Sequence, residues 1–267
     1  MLRPPERRLR QDIVTFARLT HARGLLVAFD GNLSTRLSDG LVLCTRAGCH
    51  KGLLTEDDLV VVDLAGRKVR GAGEPTSEMA MHLACYRARP DVEAVVHAHP
   101  PMCIAFTVAG LTLARCVLPE VVLTIGAVPT LPYATTGTRT LAELVGEAAK
   151  GHDAVVLDRH GTVTLGTSLL EAFAKLETIE HFAHIMKAAR DLGRVQDLPA
   201  DESVRLRTMG LRRYGGPPQS LAALATPDAA AAPGADLPPA CLTCSGCGDP
   251  RPGGLGKPAG FAVARVG

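Results

Sequence analysis

The sequence predicts a central, mostly antiparallel β-sheet flanked by helices. Three observations carry that reading. Helical and strand-like segments alternate through the first 214 residues; the strand-like segments come in pairs joined by short polar turns; and 267 residues are enough to bury a sizeable core. The composition fits a folded chain, with 46% hydrophobic and 21% charged residues, whereas disorder requires low hydrophobicity and high net charge.

The elements follow in order. Leu9, Ile13, Phe16 and Thr20 recur at helical spacing, giving an amphipathic opening helix that breaks at Gly24. The strand-like pieces LSTRL and LVLCT flank Ser38-Asp39-Gly40, a hairpin signal, and LVVVDL and KVRG flank Ala65-Gly66 as a second hairpin. TSEMAMHLACYRARP reads as a helix with Thr76 or Ser77 as N-cap and Pro90 as stop. VEAVVHAH is a buried strand entering a turn at Pro100-Pro101. A helix then runs from Thr138-Arg139 to about Lys150, followed by strands AVVLDRH and TVTLG and a long helix from Ser168 to about Leu192.

Composition shifts near Tyr214. Residues 215–267 hold 10 of the 27 Gly and 9 of the 19 Pro, so we expect a flexible tail after a domain spanning 1–214. Cys241, Cys244 and Cys247 lie in that tail as C-x-x-C-x-x-C; the spacing suits three thiolates on a metal, but no fourth Cys or His follows, and exposed redox-sensitive thiols are the alternative. The remaining cysteines, Cys44, Cys49, Cys85, Cys103 and Cys116, sit in apolar surroundings, as buried thiols of a reducing compartment do.

Several function classes are excluded at this level. A net charge of +2 with 3% aromatics and no Trp speaks against a nucleic-acid surface. No signal-peptide h-region is visible, and the most apolar stretch, residues 117–131, contains Pro119, Glu120 and Pro129 and is too short to span a bilayer. The expectation is a cytoplasmic protein without a membrane partner.

The chemistry concentrates in His97-Ala98-His99. Residues two apart on an extended chain share a face, so both rings can converge on one cation. His160, before Gly161 in LDRHGT, is placed at a sheet edge by a turn, and Glu78 opens a helix. Three His and a carboxylate supply either a closed tetrahedral zinc shell, or three ligands with the carboxylate free as a base. His82, one helical turn beyond Glu78, suits an orienting partner or a packed core histidine. Three short polar loops, GNLS (31–34), TRAG (45–48) and PTSE (75–78), suit a phosphate dianion or ordinary turn and capping chemistry. Neither a Walker nor a Rossmann signature is present.

In their order and spacing, GNLS, TRAG, EPTSE, HAHP, PYATTGT and His160-Gly161 resemble the class II aldolase/adducin family, over roughly residues 7–192. The resemblance implies an α/β/α fold, a homotetramer with active sites near subunit interfaces, and one catalytic zinc. It places His97, His99 and His160 as zinc ligands, Glu78 as catalytic acid/base, and Gly31, Asn32, Gly48, Thr76 and Ser77 on phosphate-binding positions. The chain departs from the pattern at Phe29 and Ala47, where the family's ketose-1-phosphate aldolases have Thr, and at Leu118, where they have a proton-donating Tyr. Glu120 replaces that donor or is a paired or surface carboxylate. The implied reaction is retro-aldol cleavage of a phosphorylated sugar, a ketose 1-phosphate such as L-fuculose 1-phosphate or a 5-deoxy- or 5-methylthio-pentulose 1-phosphate, to dihydroxyacetone phosphate and an aldehyde. Sugar-phosphate 4-epimerisation, dehydration of methylthioribulose 1-phosphate and decarboxylation of an oxo-acid phosphate are alternatives on the same scaffold. A non-enzymatic, adducin-like interaction module would lack the three histidines.

Overall fold

The computed structural model describes residues 4–217. Cys241, Cys244 and Cys247 lie outside the described residues. The first helix, α1, spans Glu6–Ala22 and buries Leu9, Ile13, Ala17 and Thr20, close to the expected stripe, with Phe16 half-buried against Phe173 at its flank. Strands β1 (Asn32–Arg36) and β2 (Leu41–Thr45) form the first hairpin, and β3 (Leu59–Asp63) and β4 (Lys68–Arg70) the second. The second turn is fastened by Asp63, whose Oδ1 accepts from the amides of Ala65 and Arg67 at 2.9 Å each.

Helix α2 spans Met79–Ala88 and starts later than the capping signal implied: Glu78 is its N-cap, and the Glu78 amide donates to Thr76 Oγ1 at 3.3 Å. Strand β5 (Ala94–Ala98) follows. Pro100-Pro101 does not merely turn the chain, because Pro101 opens helix α3 (Pro101–Val108). A proline has no amide to lose at the first helical position and its φ is already helical. The same device opens α4 (Pro119–Thr124), within the apolar stretch. The remainder is β6 (Thr130–Leu131), α5 (Arg139–Ala149), β7 (Ala154–Leu157), β8 (Gly161–Gly166), α6 (Leu169–Leu192) and α7 (Ala200–Tyr214).

The eight strands of the described residues join one sheet in the order β4-β3-β2-β1-β5-β8-β7-β6, antiparallel except for β6 on β7. Its strands send alternate residues to opposite faces, the two-residue period of a pleated chain. Val60, Val62, Val95 and Val163 pack under α2 and α5, while Leu59, Val61, Val96 and Leu33 pack under α1 and α6. Both faces are therefore apolar and covered, giving the α/β/α layering. No helix among the described residues is long and apolar enough to cross a membrane.

Candidate metal and anion site

The three central strands end together at one edge of the sheet. In the register, Asn32 of β1 lies opposite His97 of β5, and Ala98 of β5 opposite Thr162 of β8. His99 is therefore just beyond β5 and His160 just before β8. Two glycines permit this convergence. A Cβ on Gly31, which has φ +63°, would lie 2.6 Å from the His97 carbonyl oxygen, and one on Gly161 would lie 2.3 Å from that of Ala98. Arg159, at φ 53°, adopts the left-handed conformation that turns His160 inward, and its amide is held by Thr107 Oγ1 at 2.9 Å.

The donor atoms of His97, His99 and His160 all lie within 4.8 Å of one another. His97 is fully buried, and its Nδ1 lies 2.9 Å from the Thr162 carbonyl. A carbonyl only accepts, so Nδ1 carries a proton and Nε2 is the nitrogen turned toward the other rings. His97 Nε2 lies 3.2 Å from His99 Nε2 and 3.0 Å from Glu78 Oε2. His160 Nε2 lies 3.4 Å from Glu78 Oε1, and that oxygen is buried without a hydrogen-bond partner. Imidazole lone pairs facing one another and a carboxylate are repulsive until positive charge lies among them, so this donor set fits a cation.

The electrostatics agree. Burial, reinforced by the neighbouring His97, pushes His160 down to about 4, and burial likewise lowers His99, so both favour the unprotonated, ligating form. For Glu78, burial acts upward, but contacts from His97 and Asn32 outweigh it and hold the carboxyl well below its usual range. His99 also turns Nδ1 toward Asp30 Oδ2 at 3.2 Å, a carboxylate that orients the ring.

These groups border a cavity of about 470 Å³. Gly31, Asn32, Gly48, Thr76 and Ser77 all line it, together with Glu78, His99 and His160. Phe29 and Ala47 line it too, as do Thr136 and Gly137 of the PYATTGT segment. Thr76 and Ser77 lie just before α2, so a positive helix end faces the same space. Glu120 is not brought to it: it is exposed, in the first turn of α4, where a carboxylate favours the helix N-terminus.

Sequence reasoning missed Asp30 and Lys51 and gave Arg46, inside the TRAG loop, no role of its own; all three lie at the cavity. Lys51 is 2% exposed and donates to the carbonyls of Phe29 at 2.8 Å and Cys49 at 2.9 Å, tying two of the polar loops together. The available signal for Lys51 was a lysine three residues beyond Gly48, in TRAGCHK.

Known proteins resemble this chain over most of the described residues. An "L-fuculose phosphate aldolase" of Methanococcus vannielii is 38% identical over 175 residues, 66% of this chain and 93% of that protein. A "3-oxo-tetronate 4-phosphate decarboxylase" of Escherichia coli K12 is 34% identical over 207 residues, 76% of this chain and 97% of that one. Among solved structures, the L-fuculose-1-phosphate aldolase of Thermus thermophilus superposes with a TM-score of 0.64 at 32% identity, covering 72% of this chain and 99% of its own. The model of the class II aldolase and adducin N-terminal domain matches residues 11–186, a span that includes Asn32, Glu78 and all three histidines, and the chain belongs to that family.

Proposed function

We propose that the protein is a zinc-dependent aldolase that cleaves a ketose 1-phosphate to dihydroxyacetone phosphate and an aldehyde. The observation that carries this reading is the position of Glu78. Its carboxylate lies against His97 and His160 and lines the same cavity as the three polar loops. His97, His99 and His160 would hold the metal, leaving a position open to substrate. When bound, the metal supplies Lewis-acid polarisation of the substrate carbonyl.

The chain's own residues do the rest. Gly31, Asn32, Gly48, Thr76 and Ser77 anchor the phosphate through amides and side chains, which turns remote binding into orientation of the reacting carbon. Cleavage of the bond between the carbon bearing the carbonyl's neighbouring hydroxyl and the next carbon turns that next carbon's hydroxyl into the aldehyde, releases its proton and leaves a nucleophilic carbon. Glu78, ionised at rest, takes up a proton and returns one to the nucleophilic carbon, so none is gained or lost overall. The apolar Phe29 and Ala47, with Leu118 in place of a tyrosine, favour an aldehyde less hydroxylated than lactaldehyde, the product of a 5-deoxy- or 5-methylthio-pentulose 1-phosphate. The catalytic unit is residues 1–214, and the working assembly is a cytoplasmic homotetramer.

A second reading, decarboxylation of a 3-oxo acid phosphate, is favoured by the likeness to the Escherichia coli decarboxylase and by two cations, Arg46 and Lys51, at the cavity. Loss of carbon dioxide from such an acid leaves the same kind of carbon for Glu78 to protonate. The two readings therefore differ in the departing group, not in the residues. The zinc-loaded protein is offered ketose 1-phosphates ending in hydroxymethyl, methyl or methylthiomethyl, alongside a 3-oxo-tetronate phosphate. Dihydroxyacetone phosphate together with an aldehyde is expected; carbon dioxide from the acid alone would replace the first reading by the second, and no product from any substrate would sink both.

A further inference from the structure

Behind Glu78 runs a buried line of polar side chains that never reaches the cavity except through its last member. Tyr86 Oη lies 2.8 Å from Ser34 Oγ, and Ser34 Oγ lies 2.7 Å from His82 Nδ1. His82 Nε2 lies 2.5 Å from Asn32 Oδ1, and Asn32 Nδ2 donates to Glu78 Oε2 at 3.0 Å. Ser34 and His82 have no exposed surface and Tyr86 is 1% exposed, so water supplies none of these bonds.

Such a line has two self-consistent polarities, because a neutral imidazole can carry its proton on either nitrogen and an amide can be turned over. The carboxylate at the end selects between them. Glu78 only accepts when ionised, so the Asn32 amide must present N–H₂ to it and its carbonyl to His82. His82 must then carry its proton on Nε2 and accept from Ser34 at Nδ1, and Ser34 in turn accepts from Tyr86. The imidazole stays neutral throughout, since burial pushes it down to about 3. It therefore contributes direction rather than charge.

We propose that His82 is a positioning residue: its Nε2–H grips the Asn32 carbonyl and keeps the amide N–H₂ turned toward Glu78 and the cavity. The inference rests on Glu78 as the proton carrier. One amide hydrogen serves Glu78, and the second is available to a substrate anion in the cavity that Asn32 lines. With the amide turned over, a carbonyl oxygen would face both the carboxylate and the anion, and both contacts would become repulsive.

Two substitutions separate this role from packing. H82Q keeps an N–H donor where Nε2 stands, whereas H82N keeps polarity only near Nδ1 and leaves the Asn32 carbonyl ungripped. Both proteins are first checked for an unchanged melting transition and metal content. H82Q is expected to stay within about threefold of the parent kcat, and H82N to lose about 10- to 100-fold. Equal losses in both, or a loss in neither, overturns the proposal. The second measurement needs no substrate: ¹⁵N NMR of the parent protein at neutral pH is expected to show His82 neutral with its proton on Nε2. A proton on Nδ1, or a charged ring, overturns the proposal even if a variant fails to fold. A parent enzyme inactive on every substrate, with His82 in the expected tautomer, would remove the aldolase reading and leave the positioning of Asn32 standing.

Discussion

At one end of β5 and β8 lie Glu78 and the three histidines; at the other lie Arg89, Asp153 and Lys175. Both groups are polar, largely buried and attached to the same central strands, yet they are built on opposite terms. Asp153 receives Arg89 at 3.2 Å and Lys175 at 2.9 Å, Arg89 also binds Asp91, and Lys175 also binds Glu171 at 2.8 Å and the Leu165 carbonyl at 2.9 Å. No buried polar atom of Arg89, Asp153 or Lys175 is left without a partner. At the histidine end, Glu78 Oε1 and His160 Nδ1 have none, and Nε2 of His97 faces Nε2 of His99 at 3.2 Å. The Asp153 network fastens α2 and α6 to the sheet, whereas the unpaired donors at the histidine end are what the proposed cation site requires.

Substitutions at the two ends should therefore fail in different assays. The largest effect is expected for E78Q, which removes the proposed proton carrier and should lower kcat by about 10²- to 10⁴-fold while the protein still unfolds cooperatively, with a smaller stability loss than the next variant. Steady-state kinetics beside a thermal melt checks this, and a melt that collapses with activity would break the contrast. Next, D153A leaves Arg89 and Lys175 facing each other in a buried site and should cost about 3–5 kcal/mol of stability, measured by denaturant titration, with metal stoichiometry unchanged. Smallest is D30N, which keeps the shape but weakens the carboxylate behind His99; a loss of about 10- to 100-fold in metal affinity is expected in a chelator competition. An unchanged affinity would mean that the Asp30 contact does not orient the ring.

What was legible beforehand divides along similar lines. Strands β2, β3, β5 and β7 carry dense apolar runs, β8 alternates threonine with apolar residues, and β1 and β4 are betrayed by the turns that join them to β2 and β3; His97, His99, His160 and Glu78 announce themselves by residue type and spacing. Helices α3 and α4 were hidden because their opening prolines read as breaks. Helix α7 was hidden because its buried face is built from Ser203, Leu206, Arg207 and Gly210, which make no apolar stripe. Asp30 and Lys51 act through contacts with His99, Phe29 and Cys49 that only the folded loops create. The link from His82 to Glu78 was anticipated along the helix but runs through Asn32, fifty positions away in the chain, because strand β1 lies beneath α2.

The convergence of three strand ends also sets an order of events during synthesis. His97 and His99 leave the ribosome some sixty residues before His160. Until β8 has paired with β5, the third ligand is absent and Gly161 has not closed against Ala98. On the proposed ligand set, a complete metal site therefore requires that long-range strand pairing, and a nascent chain stalled before residue 160 carries only two of its three histidines. Retention of an ion at the proposed site would then report a completed sheet as well as prepare for chemistry.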